Sequence, residues 1–184
     1  MSKYFKKISG ERVYLSPLNI EDVELYAKWL NDPGVMTNIG GGLYNNNIIA
    51  CKDWFENKMK SDRSALFAIV KHDGDIPIGY FEFMEVEHVH RTAIFCMFIG
   101  EEEHRNSGLG TEALKLAVGF GFDVLNLNNI ELKVYDFNER AQKSYQKIGF
   151  KEYGRRRQAY YLNGKYHDVV CMDIIREEYY EKLS

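Results

Sequence analysis

Residues 94–111 read IFCMFIGEEEHRNSGLGT, and this stretch decides how the chain is organised. The first six residues are apolar and mostly β-branched or aromatic, which predicts a buried strand. The residues after Ser107 predict a long helix. If Ser107 caps that helix, the amide N–H groups from Gly108 to Thr111 have no partner within it and lie at the positive end of its dipole. The stretch therefore predicts an anion-binding site, which we call the phosphate cradle (residues 106–111).

Two glycines and one arginine suit the cradle to a pyrophosphate. Gly108 and Gly110 lack the Cβ atoms that would hold phosphate oxygens away from the amides. Arg105 adds a permanent positive charge beside them. The residues predicted to hold the phosphates are Arg105, Asn106, Ser107, Gly108, Leu109, Gly110 and Thr111.

The same glycines also fit other motifs. The spacing of Gly108, Gly110 and Ala113, with Glu131 further on, also fits the relaxed dinucleotide-binding fingerprint. In that fold the glycine turn follows its strand at once, whereas here residues 100–104 intervene, and the acidic residue should close the next strand rather than open it. No Lys-Ser/Thr pair follows the glycines, which excludes a Walker loop. On these residues alone, a flexible turn that begins a helix remains an open alternative.

The downstream order favours the cradle. The pattern Arg-x-x-Gly-x-Gly at residues 105–110 is followed by a helix, a strand at residues 129–135, and the pattern Asn138-x-x-Ala141-x-x-x-Tyr145-x-x-x-Gly149-Phe150. This combination resembles the GNAT family of N-acetyltransferases, and within it the group that includes the ribosomal-protein alanine and spermidine acetyltransferases. The resemblance extends from residue 12 to about residue 175.

The resemblance implies acetyl-CoA as the acyl donor and assigns roles along the chain. In the family, the pantetheine arm pairs with the edge of the strand before the cradle, which corresponds here to Met97, Phe98 and Ile99. The pyrophosphate would lie on residues 106–111, and Asn138 and Ala141 would contact the cofactor. An amine acceptor, either a protein N-terminus or a small amine, is implied. A non-catalytic acyl-CoA sensor on the same fold is the alternative function.

Acetyl transfer needs a proton for the leaving thiolate and a neutral amine. Tyr145 matches the family's tyrosine beside the leaving sulfur, and a phenol with a pKa near 10 is protonated at neutral pH. The competing interpretation is a tyrosine that is simply packed in the core. Glu82 or Glu85 could accept the ammonium proton, and Glu82 is the predicted base. A water relay is the alternative.

Composition limits the possible classes of protein. The chain of 184 residues predicts one domain spanning residues 1–184. Three widely spaced cysteines predict reduced thiols rather than disulfides or a zinc site. The N-terminus lacks the apolar segment of a signal peptide, and no stretch is long enough to span a membrane, so we expect a cytoplasmic protein. A formal net charge of −3 argues against nucleic-acid binding. His88 and His90 lack a third ligand, so no metal is expected.

The pattern along the chain predicts an α/β (α+β) fold with a mixed, mostly antiparallel sheet of seven strands and helices on both faces. Strands are predicted at residues 12–18, 65–72, 78–86, 94–99, 130–135, 150–162 and 166–175, and helices at residues 19–30, 48–60, 108–125 and 138–148. Asp73-Gly74 and Asn163-Gly164 predict hairpin turns. Trp54, Phe55 and Met59 are expected to face the core, and Gly119 and Gly121 to allow close approach of the long helix to the sheet.

The acceptor and the oligomeric state stay open. The turn-rich residues 38–47 predict a mobile connector beside the acceptor pocket. Gly40 and the residues after it replace the acidic cluster of the spermidine enzymes, which argues against polyamine specificity. Exposed hairpin edges make a homodimer possible.

Overall fold

The computed structural model describes residues 3–40 and 46–183. The strands are β1 (Ile8–Ser9), β2 (Val13–Pro17), β3 (Ala65–Lys71), β4 (Ile76–Glu87), β5 (Thr92–Ile99), β6 (Asn129–Tyr135), β7 (Lys151–Leu162) and β8 (Lys165–Ile175). The helices are α1 (Val23–Leu30), α2 (Pro33–Ile39), α3 (Ile48–Met59), α4 (Leu109–Asp123), α5 (Glu139–Ile148) and α6 (Arg176–Leu183).

All eight strands lie in one sheet, in the order β1-β2-β3-β4-β5-β6-β8-β7. Only β5 and β6 are parallel, and every other neighbouring pair is antiparallel. The predicted mixed, mostly antiparallel sheet is confirmed. It contains eight strands rather than seven because the two residues of β1 pair with β2.

Each face of the sheet carries its own apolar core. One core packs α4 and α6 against the sheet, with Phe81 and Phe83 of β4 facing them. The other packs α1, α2 and α3 against the opposite face, where Tyr80 of the same strand points. Successive side chains of a strand alternate between faces, so β4 contributes to both cores. Helices on both faces were predicted and are present.

Helix α2 was not predicted from the sequence. We expected Pro33 to mark the end of the preceding helix, whereas it occupies the first turn of α2. Asp32 caps α2 by accepting the Gly34 amide at 2.8 Å, and proline suits the first turn because that position needs no N–H donor. The helix ends at Gly40, which has φ of 87°. Residues 41–45 of the predicted mobile connector lie outside the described residues.

Other local predictions gave mixed results. Asn163 and Gly164 have φ of 48° and 82°, so both adopt the positive φ that a type I′ hairpin turn requires. In α3, Phe55 is fully buried, but Trp54 and Met59 are 39% and 44% exposed, which contradicts their predicted core positions. The described part of the chain has no helix that is both long and apolar enough to cross a membrane.

Candidate active site

The site lies where the two parallel strands separate. Strands β5 and β6 are paired only from Thr92 to Ile94 on β5. Beyond Ile94 the strands diverge, although β5 continues to Ile99 and β6 to Tyr135. A cavity of about 570 Å³ occupies the gap and opens toward the N-terminus of α4. We call this cavity the cleft.

The edge of β5 that faces the cleft carries unpaired backbone groups. The amide of Gly100 donates to the carbonyl of Ile78 on β4 at 2.7 Å. Backbone groups alternate between the two edges of a strand, so Phe98 also points toward β4, whereas Met97 and Ile99 point toward the cleft. The Ile99 carbonyl accepts a bond from Arg105. Met97 therefore presents an N–H and a C=O with which an extended, amide-containing ligand could pair.

The N-terminus of α4 has the open amides that the sequence predicted, but a different residue caps the helix. The N-cap is Gly108, with φ of 83°, and no side chain caps the first turn. Ser107, the predicted cap, instead donates its hydroxyl to the His104 carbonyl at 2.7 Å. The first-turn amides therefore lack a side-chain partner, as a phosphate-binding turn requires.

Arg12, which is far from the phosphate cradle in the sequence, supports the cradle through hydrogen bonds. Arg12 donates through Nη1 to the Ser107 carbonyl at 2.9 Å and through Nε to Glu112 at 3.0 Å. The amides of Arg12 and Val13 donate to the other oxygen of Glu112, at 2.7 and 3.2 Å. Burial opposes ionisation of Glu112, but these bonds outweigh it and lower the pKa of the carboxyl. No pattern in the sequence near Arg12 predicts its contact with the cradle.

Arg105 lines the cleft, but most of the N–H groups of its guanidinium already bind oxygen atoms of the protein. Its Nε donates to the Ile99 carbonyl at 3.1 Å, and its Nη2 donates to the Gly100 carbonyl at 2.5 Å. The same Nη2 lies 3.2 Å from Oδ2 of Asp32. The sequence predicts a fixed positive charge at Arg105 beside the phosphates. The structure places its guanidinium between the turn after β5 and the N-terminus of α2.

A second arginine, which the sequence analysis missed, stands at the mouth of the cradle. Arg140, in the first turn of α5, donates through Nη1 to Oδ1 of Asn106 at 3.1 Å. Both residues line the cleft and both are exposed. The signal that could have identified Arg140 is its position two residues after the predicted helix cap, because it lies in the first turn of α5, beside the cradle residue Asn106.

Helix α5 brings Tyr145 into the cleft. Asn138 caps the helix by accepting the Ala141 amide at 3.2 Å, as predicted. Tyr145 lies two turns further along, lines the cleft and packs edge-on against Phe150 at 5.7 Å between ring centroids. Burial, with a smaller contribution from the nearby Cys96 thiol, raises the pKa of Tyr145 above its ordinary value of 10.0. The phenol is therefore a proton donor at neutral pH.

Glu82, the predicted base, does not line the cleft. It is 2% exposed and forms an ion pair with Lys58 of α3 at 2.6 Å. Burial raises the pKa of Glu82, and the contacts with Lys58 oppose that rise. Glu85, the other candidate for the base, is exposed and lines the cleft. The structure therefore places Glu85, and not Glu82, among the cleft residues.

The opposite wall of the cleft is formed by α2 and β6. Gly34, Val35, Asn38 and Ile39 of α2 line it, together with Lys133 and Tyr135 of β6. The rings of Tyr135 and Tyr160 stack with 4.0 Å between their centroids. The Tyr135 hydroxyl packs against Gly40, so closely that a Cβ atom on Gly40 would lie 1.9 Å from the hydroxyl oxygen. Burial raises the pKa of Tyr135 to about 12. Among the described residues of this wall, Lys133 is the only charged one.

Most of the predicted site residues line the cleft. Those lining it are Met97, Phe98, Ile99, Arg105, Asn106, Gly108, Gly110, Thr111, Asn138, Ala141 and Tyr145. Ser107 and Leu109 do not line it, because Ser107 bonds to His104 and Leu109 packs in the core. The open strand edge, the unpartnered amides and the glycines fit a pantetheine arm and a pyrophosphate.

Residues 12–151 match the acetyltransferase (GNAT) domain. The chain belongs to this family, and it is an acetyl-CoA-dependent N-acetyltransferase whose acceptor is a primary amine. The resemblance inferred from the sequence is thereby confirmed, and the sensor alternative is not favoured. The described residues contain no group of three His, Cys, Asp or Glu side chains that could hold a metal ion.

The chain is similar over most of its length to two other bacterial acetyltransferases. The chain is 33% identical over 171 residues to the spermidine N(1)-acetyltransferase of Escherichia coli strain K12, which covers 93% of this chain and 90% of that protein. It is 26% identical over 168 residues to the putative ribosomal N-acetyltransferase YdaF of Bacillus subtilis, covering 90% and 86%.

The fold also matches solved structures. The crystal structure of spermidine N-acetyltransferase from Vibrio cholerae in complex with CoA and spermine superimposes with a TM-score of 0.86 at 24% identity. The match covers 93% of this chain and 99% of that chain. At this level of identity the match establishes the fold.

Proposed function

We propose that this enzyme acetylates a small linear polyamine of the spermidine class by direct transfer from acetyl-CoA. The observation that carries the proposal is the 33% identity to a spermidine N(1)-acetyltransferase over 93% of the chain. The absence of the acidic cluster expected near Gly40 argued against this acceptor at the level of sequence. The cleft supplies a different carboxylate.

That carboxylate is Glu85. It lies on an exposed part of β4 with φ of 51° and lines the cleft beside Met84 and Ile94. An alkylammonium is cationic at neutral pH, so a carboxylate at the cleft attracts it and orients the chain of a polyamine. We propose Glu85 as the residue that binds the acceptor and assists removal of its proton, either directly or through water.

The donor half of the cleft would hold acetyl-CoA, which supplies the acetyl group as a thioester. We propose that the first-turn amides of α4, with Arg140 at the mouth, bind the diphosphate. The Met97 edge of β5 would pair with the amide-containing arm, and its N–H would stabilise the developing oxyanion. Asn138 and Ala141 position α5 beside the same arm.

Tyr145 would act as the general acid. The amine forms a C–N bond to the acetyl carbonyl carbon, the C–S bond breaks, and the phenol gives its proton to the departing thiolate. The bound ammonium loses one proton to Glu85 or water before it attacks, and the nitrogen loses a second proton to water after the C–N bond forms. Solvent reprotonates the phenolate. No covalent acetyl-enzyme is needed, because the two substrates meet at one point in the cleft.

A panel of acceptors tests the proposal. Purified enzyme with acetyl-CoA is incubated with spermidine, an aminoglycoside or a peptide with an N-terminal alanine, and products are identified by mass spectrometry. We expect monoacetylated spermidine to form with the highest kcat/KM. Preferential acetylation of the peptide would instead assign the ribosomal-protein type of acceptor, and transfer to none of these amines would contradict the proposal.

We also propose that the enzyme self-associates and acts in the cytoplasm. Strand β7 is an edge strand of twelve residues whose side chains are mostly exposed. A long exposed edge can pair with the same edge of another copy. The three cysteines are free thiols, which suits a reducing compartment. Light scattering after gel filtration tests self-association, and a monomeric mass at all concentrations would contradict it.

A further inference from the structure

Arg105 connects the two walls of the cleft. Through Nε and Nη2 it binds the carbonyls of Ile99 and Gly100, at the end of the strand that faces the donor. Through Nη2 it also binds Oδ2 of Asp32 at 3.2 Å. Asp32 is 73 residues earlier in the chain and caps α2, the helix of the opposite wall.

The surroundings of Arg105 leave it little freedom to bind a phosphate. Its side chain is only 14% exposed. A guanidinium has five N–H donors in a rigid plane, and those on Nε and Nη2 point at oxygens of the chain itself. The remaining nitrogen, Nη1, lies 3.1 Å from the position that a Cβ atom on Gly34 would occupy. The guanidinium thus packs on the first turn of α2.

Asp32 uses its two carboxylate oxygens for different purposes. Oδ1 accepts the amide of Gly34 at 2.8 Å and so caps α2. Oδ2 binds Arg105. One carboxylate therefore both starts the helix and ties it to the turn after β5, and the helix that it anchors contributes Val35, Asn38 and Ile39 to the cleft.

We infer that Arg105 and Asp32 form a positioning pair that holds the acceptor wall of the cleft in register with the donor strand. The inference rests on the proposed function, because it assigns α2 to the acceptor side. Loss of the pair frees α2 to move while the phosphate cradle keeps its own supports, Arg12 and Glu112. The amine, and not acetyl-CoA, should then bind more weakly.

The Asp32→Asn substitution tests the ion pair separately from the helix cap. Asparagine is as good a helix cap as aspartate, so its Oδ1 still accepts the Gly34 amide while the charge facing Arg105 is lost. We expect the KM for the amine to rise about three- to fivefold, in keeping with the strength of a partly exposed ion pair, with kcat nearly unchanged. The Kd for CoA, measured by calorimetry, should stay within about twofold, because no cradle bond is lost.

Arg105→Gln and the double variant complete a thermodynamic cycle. If the two residues act through each other, the double variant should show no larger increase in the KM for the amine than Arg105→Gln alone. Lys28→Gln is the matched control, because Lys28 pairs at 2.7 Å with Glu101 of the same turn but belongs to α1 and does not line the cleft. It should leave the KM for the amine unchanged.

Hydrogen exchange gives a readout that is independent of turnover. Without substrates, amides of residues 34–39 should exchange faster in Asp32→Asn than in the wild type, and those of α4 should not change. The inference is overturned if exchange in α2 is unaltered, or if Arg105→Gln weakens CoA binding while Asp32→Asn behaves as wild type. The second result would make Arg105 a phosphate ligand. Failure of the wild type to acetylate any amine would contradict the proposed function, and the exchange experiment would still decide the inference.

Discussion

Cys96 lies directly opposite Glu82 in the antiparallel pair of β4 and β5, yet only Cys96 lines the cleft. Glu82 points to the same face of the sheet but is bound by Lys58 of α3. Glu82 is only 2% exposed and is paired with Lys58, so it cannot readily take a proton from a substrate in the cleft. Among the described residues that line the cleft, Glu85 is therefore the only carboxylate that could take a proton from the acceptor amine.

Glu85→Gln should raise the KM for the amine about three- to tenfold, because it removes the only carboxylate among the described cleft residues and so the charge attraction for an ammonium. Steady-state kinetics with varied amine measure the effect. Glu103→Gln is a control, since this glutamate is 79% exposed and outside the cleft. Equal KM values for Glu85→Gln and the wild type would remove Glu85 from the acceptor site.

Tyr145→Phe should lower turnover at least tenfold, because the thiolate would lose its proton donor, and general acid catalysis contributes about 100-fold or more. Affinity for CoA should be nearly unchanged, since the ring still packs on Phe150. Stopped assays and calorimetry measure the two quantities. Tyr161→Phe, which alters a tyrosine that is 62% exposed, controls for loss of a hydroxyl. Wild-type turnover in Tyr145→Phe would contradict the assignment.

The pH dependence follows from the raised pKa of Tyr145, which burial and then the Cys96 thiol cause. Only the protonated phenol can act as an acid, so activity should fall only above its ordinary pKa of 10.0. Below that pH the fraction of neutral amine grows with pH, because an alkylammonium has a pKa of about 10. We expect kcat/KM to rise steadily from about pH 6 to about pH 9. A decline within this interval would show that another acid controls the reaction.

Gly110→Ala should weaken CoA binding while leaving the fold intact. A Cβ atom there would lie 3.4 Å from Ile99, an ordinary contact. Because the Cα–Cβ bonds of a helix tilt toward its N-terminus, the added methyl group should hinder a phosphate at the cradle amides. Loss of one hydrogen bond to a charged group corresponds to about a tenfold weaker Kd or more. Alanine also stabilises a helix by up to about 1 kcal/mol relative to glycine, so the melting temperature should rise. Unchanged CoA affinity in a folded variant would contradict the cradle.

Two other glycines of α4 should respond in opposite ways. A Cβ atom on Gly121 would lie 2.8 Å from Phe83 and 2.9 Å from Ile130, so Gly121→Ala should destabilise the protein by about 1–3 kcal/mol. At Gly119 the nearest atom is the Tyr179 hydroxyl at 3.5 Å, so Gly119→Ala should stabilise by up to about 1 kcal/mol. Urea unfolding measures both. Equal effects of the two substitutions would contradict a close approach of α4 to the sheet at Gly121 alone.

The sequence could predict those parts of the site that depend on local chemistry. The open amides of α4, the Asn138 cap and the parallel β5–β6 pair follow from residues close in the chain or from connection length. Helix α2 was missed because Asp32 and Pro33 fit the end of one helix as well as the start of another. Local patterns do not decide between these two uses.

The partners of charged side chains could not be predicted, because they come from distant segments. Arg105 binds Asp32 and Arg12 binds the Ser107 carbonyl, 73 and 95 residues apart. Regular alternation would place Glu85 on the opposite face of the sheet from Glu82. A bulge between Met84 and Glu87 interrupts the regular pairing at Glu85, so the place of this side chain in the cleft could not be predicted by counting along the strand.

The central claim is that the first turn of α4 binds the diphosphate of the acyl donor within reach of Tyr145. A crystal structure of the enzyme with CoA tests it most directly. We predict phosphate oxygens within hydrogen-bonding distance of the amides of residues 108–111 and the CoA sulfur beside the Tyr145 hydroxyl. CoA bound elsewhere, with those amides covered by side chains of the protein, would contradict the claim.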